Sequence, residues 1–390
     1  MSLLGSTPSI TSAEAAYGVS IPRVIKLFED EKVLVIQDLG KWMKPLESWL
    51  YPPTTSTAES PSLGMSNSVG ARLGSFLASI HCDPTLLSKS QTLSDEGKPW
   101  FENPDTADLV RDEVVGKVLP ILQSWLTEET GRNEKVAEIV SQDFERSFLD
   151  AFRSSSSPPS PTTTPSSMFS IGDLWTGSIL VGVSPTSASS PDFSPNAATG
   201  VEVGLIDWEF ASPGRIGQDI AQLSAWLHLF SASSAWSSAQ PHHRKANHDV
   251  LVGSGPGPVA ERRSTAETLF DALLRAYAHK IKGFPDYAWF VDENYDQGRF
   301  KEERLAVIRS IWVLFGREVI HNAVESKSRF VRFFSTDPDG DGGEEMKMWQ
   351  REMIELGCWY ISAAGQSRDQ EFQEVVRKEL LLKRMYTPSG

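Results

Sequence analysis

Cysteine is scarce in this chain: Cys82 and Cys358 are the two among 390 residues. Two thiols cannot build a disulfide framework, so a reducing, cytoplasmic setting is the expectation. No uncharged apolar run approaches the length that spans a bilayer. The opening residues, MSLLGSTPSI, lack a basic segment followed by an apolar one, so no secretory signal is expected. Positive charge is in short supply as well: 37 Lys and Arg face 51 Asp and Glu, a net charge of −14. That balance argues against a nucleic-acid surface, which needs clustered cations. Gly-x-Ser-x-Gly is absent, and the Gly253–Pro258 stretch lacks the Gly-Lys-Ser/Thr end of a phosphate loop. A Ser-His-Asp hydrolase and a P-loop enzyme therefore have no support.

What is there fits a globular protein. Hydrophobic residues make up 40% of the chain, and at this length two lobes are the expectation. A hairpin is expected near the start, with Val33-Leu34-Val35-Ile36 as a buried strand and Gln37-Asp38-Leu39-Gly40 as its exit. Residues 41–65 read as irregular. Apolar positions at helical spacing predict helices over 69–81, 105–127 and 134–152, the second kinked or broken at Pro120. Further helices are expected over 262–281, 301–325, 344–362 and 368–386, with a loop over 231–258. Residues 154–167 are all Ser, Thr or Pro and read, like 184–200, as a disordered insertion. Two short strands, 179–183 and 201–206, flank the second tract as a hairpin.

That hairpin carries the chemistry. Asp173 lies in a Gly-flanked loop before its first strand, Ser178 follows five positions later, and Asp207 ends its second strand. A hairpin brings the start of one strand to the end of the other, so these oxygens converge on one volume. Two carboxylates and a hydroxyl suit Mg²⁺, which keeps waters and takes phosphate oxygens as further ligands. Phosphoryl transfer needs that set, together with a carboxylate that orients the attacking hydroxyl. Trp175 and Trp208 read as packing residues. Asp337, Asp339 and Asp341 imitate the start of a calcium loop, but Met348 stands where its bidentate Glu belongs. His242, His243 and His248 match no common zinc spacing.

Ile171-Gly-Asp173-Leu-Trp-Thr-Gly-Ser178 and Ile206-Asp-Trp-Glu-Phe210 resemble the catalytic loop and metal motif of the aminoglycoside phosphotransferase/choline kinase family, over roughly residues 20–230. The resemblance implies an α+β, protein-kinase-like fold, with residues 1–40 as a truncated small lobe and hinge and 41–390 as a mainly helical lobe. It implies ATP and Mg²⁺ as cofactors and a small-molecule hydroxyl as acceptor, a cationic one suiting the acidic chain. Asp173 would be the catalytic base, and Asp207 with Ser178 the Mg²⁺ ligands. Gln37, Asp38 and Leu39 would receive adenine, and Asp219 would brace the catalytic loop. Ile171 stands where the family has His, and Ser178 where it has Asn. About thirty residues precede the hinge strand, too few for the phosphate-covering strands and their ATP lysine. A non-catalytic binding module of the same ancestry is therefore the alternative.

Overall fold

The computed structural model describes residues 7–28, 30–31, 33–52, 61–91, 108–153, 167–183, 200–238, 258–291, 300–335 and 342–378. The two Ser/Thr/Pro-type tracts, apart from Ser167 and Gly200, lie outside these residues, as do Asp337, Asp339, Asp341 and the three loop histidines. The chain is α+β: a few small sheets beside a large helical part. No described helix is long and apolar enough to cross a membrane.

Helix α1 (Pro8–Tyr17) leads into β1 (Val19–Ser20), β2 (Val24–Phe28), β3 (Val33–Ile36) and β4 (Lys44–Pro45). Next come α2 (Leu46–Leu50), α3 (Leu63–His81), α4 (Pro84–Gln91), a π-helical turn (Val110–Val115), α5 (Gly116–Trp125) and α6 (Thr130–Arg153). The strands β5 (Ser167–Ser170), β6 (Ile179–Val183), β7 (Val201–Leu205) and β8 (Ser212–Arg215) follow, and then α7 (Gln218–Ser238). Helices α8 (Pro258–Ile281), α9 (Pro285–Val291), α10 (Phe300–Glu325), α11 (Lys327–Phe330), α12 (Gly343–Gln366) and α13 (Asp369–Lys378) complete the described chain.

One sheet has the order β1-β7-β6-β4, with β1 parallel to β7 and the other pairs antiparallel. The β2–β3 and β5–β8 pairs stand apart from it. Arg72 of α3 ties the N-terminal piece to the sheet: its guanidinium donates to the Tyr17, Gly18 and Val201 carbonyl oxygens. Glycines in β6 and β7 clear a path across the sheet, because a Cβ at Gly204 would strike Leu39 and one at Gly182 would strike Trp42. The segment from Leu39 to Met43 thus lies flat on the strands that flank the candidate site.

The helical part is packed through glycine. A Cβ at Gly70 or Gly74 of α3 would overlap the carbonyl oxygen of Leu269 or Leu273 on α8. Gly316 of α10 and Gly357 of α12 approach each other in the same way. Cys82 and Cys358 are free and buried, and burial pushes each thiol up to about 12.

Several expectations are corrected. Strand β3, expected to be buried, is exposed along its whole length, because no other described element covers the β2–β3 hairpin. The stretch read as irregular holds β4 and α2. Pro120 does not break the helix: it sits inside α5, in the turn that follows the π-helical segment. The loop expected from 231 begins later, since α7 runs to Ser238. That helix is buried on nearly all sides, its serines and glutamines included, so it carries no amphipathic period to read. The short helices α1 and α9 were not anticipated.

Replacing Gly74 with Ala should lower the melting temperature, at a cost of about 2 kcal/mol from overpacking. Gly131→Ala in α6, where nothing lies within 4 Å of the added carbon, should leave it unchanged or slightly raised. Calorimetric melting of both variants checks the contrast.

Candidate active site

Two loops form the site, and the sheets clamp both at each end. Loop 171–178 leaves β5 and enters β6, and loop 206–211 leaves β7 and enters β8. At one end Ser170 pairs with Ser212. At the other, Ile179 pairs with Leu205, and the Ile206 N–H donates to the Ser178 carbonyl oxygen at 2.9 Å. Between the clamps Gly172 lies against the Phe210 carbonyl oxygen, where a Cβ would collide. Its φ of 89° also favours glycine. Asp173 and Asp207 are thereby carried on two loops whose ends are joined by the same strand pairs.

Asp207 has φ 62° and is the one non-glycine residue at positive φ among the described residues. Such a conformation costs about 1 kcal/mol or more and persists where the surroundings fix it. Here Trp208 buries its ring and donates from Nε1 to the Leu205 carbonyl oxygen at 3.1 Å, pinning the turn. Ser178 is fully buried, and its Oγ accepts from the Trp175 N–H at 3.1 Å and donates to the Trp175 carbonyl oxygen at 2.9 Å. One lone pair of that hydroxyl remains. Among the described residues no group of three or more His, Cys, Asp or Glu side chains could hold a metal ion. The Asp207 carboxylate is a hard donor of the kind Mg²⁺ takes together with phosphate and water ligands of its own, whereas the Ser178 hydroxyl, expected as a second ligand, is fully buried against the Trp175 backbone.

Asp219, near the start of α7, is fully buried and accepts four hydrogen bonds. The donors are the Ile171 N–H at 2.7 Å, the Gly172 N–H at 3.0 Å, the Ser170 hydroxyl at 2.7 Å and His81 Nε2 at 2.8 Å. His81 Nδ1 lies 2.9 Å from the Tyr277 hydroxyl on α8. Burial alone would raise the Asp219 pKa; the bond and attraction of His81, with the Ile171 and Ser170 donors, outweigh it and hold the carboxyl below its ordinary value. His81 was missed by sequence reasoning, and its only signal is a histidine following the apolar Phe76, Leu77 and Ile80 at the end of a helix. Ile171 is fully buried and contributes its backbone N–H.

Gln37 and Asp38 are exposed. The Gln37 Oε1 accepts from the Arg23 N–H at 3.3 Å, and the Asp38 Oδ1 accepts from the Gly40 N–H at 2.8 Å. Leu39 is half-buried over Gly204, three residues before Asp207. Arg23 also pairs with Glu14 of α1, which ties the hairpin base to that helix.

On the other side of Asp173 opens a cavity of about 330 Å³. Gly172, Asp173 and Trp175 of the first loop line it together with Phe210 of the second, Gln218, Gln222 and Trp226 of α7, the π turn, α10 and Arg329 of α11. Asp207 is not part of that wall. Arg329 stacks 4.1 Å from the Trp175 ring centroid, so this tryptophan packs on one face and borders the cavity with the rest. No protein-family model matches the chain, and a search of curated proteins finds no match either.

His81→Ala should lower stability by about 3 kcal/mol, seen as a lower urea midpoint, because a buried carboxylate loses a partner. Since the folded pKa of Asp219 is depressed, its contribution is complete above the unfolded carboxyl range near pH 4 and is lost as the pH falls through the folded value. The stability gap between the wild-type protein and Asp219→Asn should therefore hold from about pH 5 upward and narrow below about pH 4. A gap independent of pH would contradict this account.

Proposed function

We propose that the protein is an ATP-dependent phosphotransferase acting on a hydroxyl of a small molecule, with a protein-kinase-like arrangement of its two loops. The observation that carries this reading is the placement of Asp173 in the lining of a ligand-sized cavity, on a loop whose backbone is fixed by the Asp219 carboxylate. A carboxylate so placed can orient an acceptor hydroxyl from the cavity and take its proton as the oxygen bonds to the γ-phosphorus and the β–γ bridging bond breaks. Asp207 would hold Mg²⁺, which offsets phosphate charge when bound, and the buried Ser178 hydroxyl would brace the loop through its bonds to Trp175. The adenine would lie along Gln37, Asp38 and Leu39, whose chain runs exposed toward the flat face of β7. Preorganisation is what the protein supplies: loops clamped at both ends spend no reorganisation energy as charge moves.

A second reading, a binding module without turnover, is favoured by the β2–β3 hairpin. Among the described residues nothing covers this hairpin, and a phosphate clamp would need to be built there. Titration calorimetry with Mg²⁺·ATP, paired with a turnover assay, separates the readings. Asp173→Asn should keep nucleotide affinity within about threefold and lower turnover by about 100-fold or more. Asp207→Asn should abolish the part of ATP binding that depends on Mg²⁺. Absence of any heat with Mg²⁺·ATP would overturn the first reading, and binding without turnover would establish the second.

A further inference from the structure

Loop 171–178 is held at its ends by strands, and its middle is held by side chains from elsewhere. Trp175 stands two residues after Asp173. Its backbone closes on the Ser178 hydroxyl, and its ring fills the space where a Cβ at Gly177 would fall. The same ring lies 5.4 Å from that of Trp226 on α7. The next residue, Thr176, accepts at its carbonyl oxygen from the Leu46 N–H of α2 at 3.0 Å. Beside Leu46, Glu47 is buried, and its Oε1 lies 3.6 Å from the Arg329 guanidinium of α11. That guanidinium closes a circuit, since its Cζ is 4.1 Å from the Trp175 ring centroid and 5.9 Å from that of Trp226.

The chemistry of the circuit singles out Arg329. A guanidinium is planar, so it can lie over an indole face and still address a carboxylate. The Glu47 Oε2 is buried without a hydrogen-bond partner, and a carboxylate in that position needs a cation near its other oxygen. Arg332, in the turn after α11, is seated differently: its ring partners are Phe333 at 5.1 Å and Phe230 at 5.7 Å, neither of them on the loop. The backbone at Asp173 and Leu174 therefore runs between two anchors. On one side the Ile171 and Gly172 amides donate to Asp219. On the other, Trp175 lies under Arg329.

We propose that Arg329 is a positioning residue: over Trp175 and beside Glu47, it fixes the middle of the loop and so sets where the Asp173 carboxylate stands at the cavity. That the loop is catalytic rests on the phosphotransferase reading; that Arg329 fixes the loop rests on the geometry alone. Arg329 also borders the cavity, so the test separates action through Trp175 from contact with a ligand.

The first measurement needs no nucleotide. Hydrogen exchange on the whole protein would follow the Trp175 amide, which donates to the Ser178 hydroxyl, and the Ser178 amide, which donates to the Trp175 carbonyl oxygen. Arg329→Met should speed exchange at both about tenfold, as local opening becomes easier. Arg329→Lys, which keeps a cation, should restore most of the protection, and Arg332→Met should leave both amides unchanged. With Mg²⁺·ATP and water as acceptor, Arg329→Met should lower kcat about tenfold and leave the KM for ATP unchanged. That loss should vanish in a Trp175→Leu background, where the cation has no ring to hold. Unchanged exchange in a folded Arg329→Met protein, equal acceleration in Arg332→Met, or a kcat loss that persists in full in the Trp175→Leu background would each overturn the proposal. The exchange comparison stands even where Trp175→Leu fails to fold. Faster exchange in Arg329→Met, with no ATP turnover by the wild-type protein, would retain the anchor and discard phosphoryl transfer, so the two failures are distinguishable.

Discussion

One buried carboxylate organises the molecule. Asp219 has no exposed surface and four donors, in the first turn of a helix, where the macrodipole also favours negative charge. Removing a carboxylate from water is expensive unless it is paired and its lone pairs are filled. Both conditions hold here, and each donor comes from an element that must stay in register. Two are consecutive amides of loop 171–178, one is the last side chain of β5, and one is the histidine that ends α3. The loop therefore cannot move independently of the helices behind it.

Those helices are placed with matching rigidity. Helices α3 and α8 meet at Gly70 and Gly74 with backbone against backbone, which brings His81 and Tyr277 within hydrogen-bond distance of each other. A larger residue at either glycine would push the pair apart and disturb the carboxylate at the far end. Packing in the helical part and geometry in the loop are one constraint seen from two places. Its chemical consequence is that Asp173 and Asp207 sit on loops anchored by a strand pair at both ends.

The two sides of the site differ in finish. The cavity side is a partly open hollow whose wall includes the paired Arg317 and Glu318. The β2–β3 side is open: Ile25, Leu27, Leu34 and Ile36 are all more than 40% exposed. A two-stranded hairpin with bare faces is marginal by itself. At its base Arg23 pairs with Glu14, and Gln37 exchanges bonds with Arg23, so the anchorage is polar rather than hydrophobic.

Local patterns were legible in the sequence because they are set by neighbours in the chain. The period of 3.6 marked most helices, the apolar runs 179–183 and 201–206 marked a hairpin that pairs as β6 and β7, and the loop motifs singled out Asp173, Asp207 and Asp219. Burial was not legible for β3, since an apolar run says that a strand wants cover and not whether another element provides it. His81 was invisible because its partner Asp219 is 138 positions away, and no spacing rule reaches that far. The cavity is of the same kind: Gln222 and His321 are unremarkable polar residues on helices with weak amphipathic periods. Hydrogen bonding and helix geometry act over a few residues and can be read from order alone; which buried oxygen finds a donor depends on distant segments meeting, and that was decided by the tertiary packing.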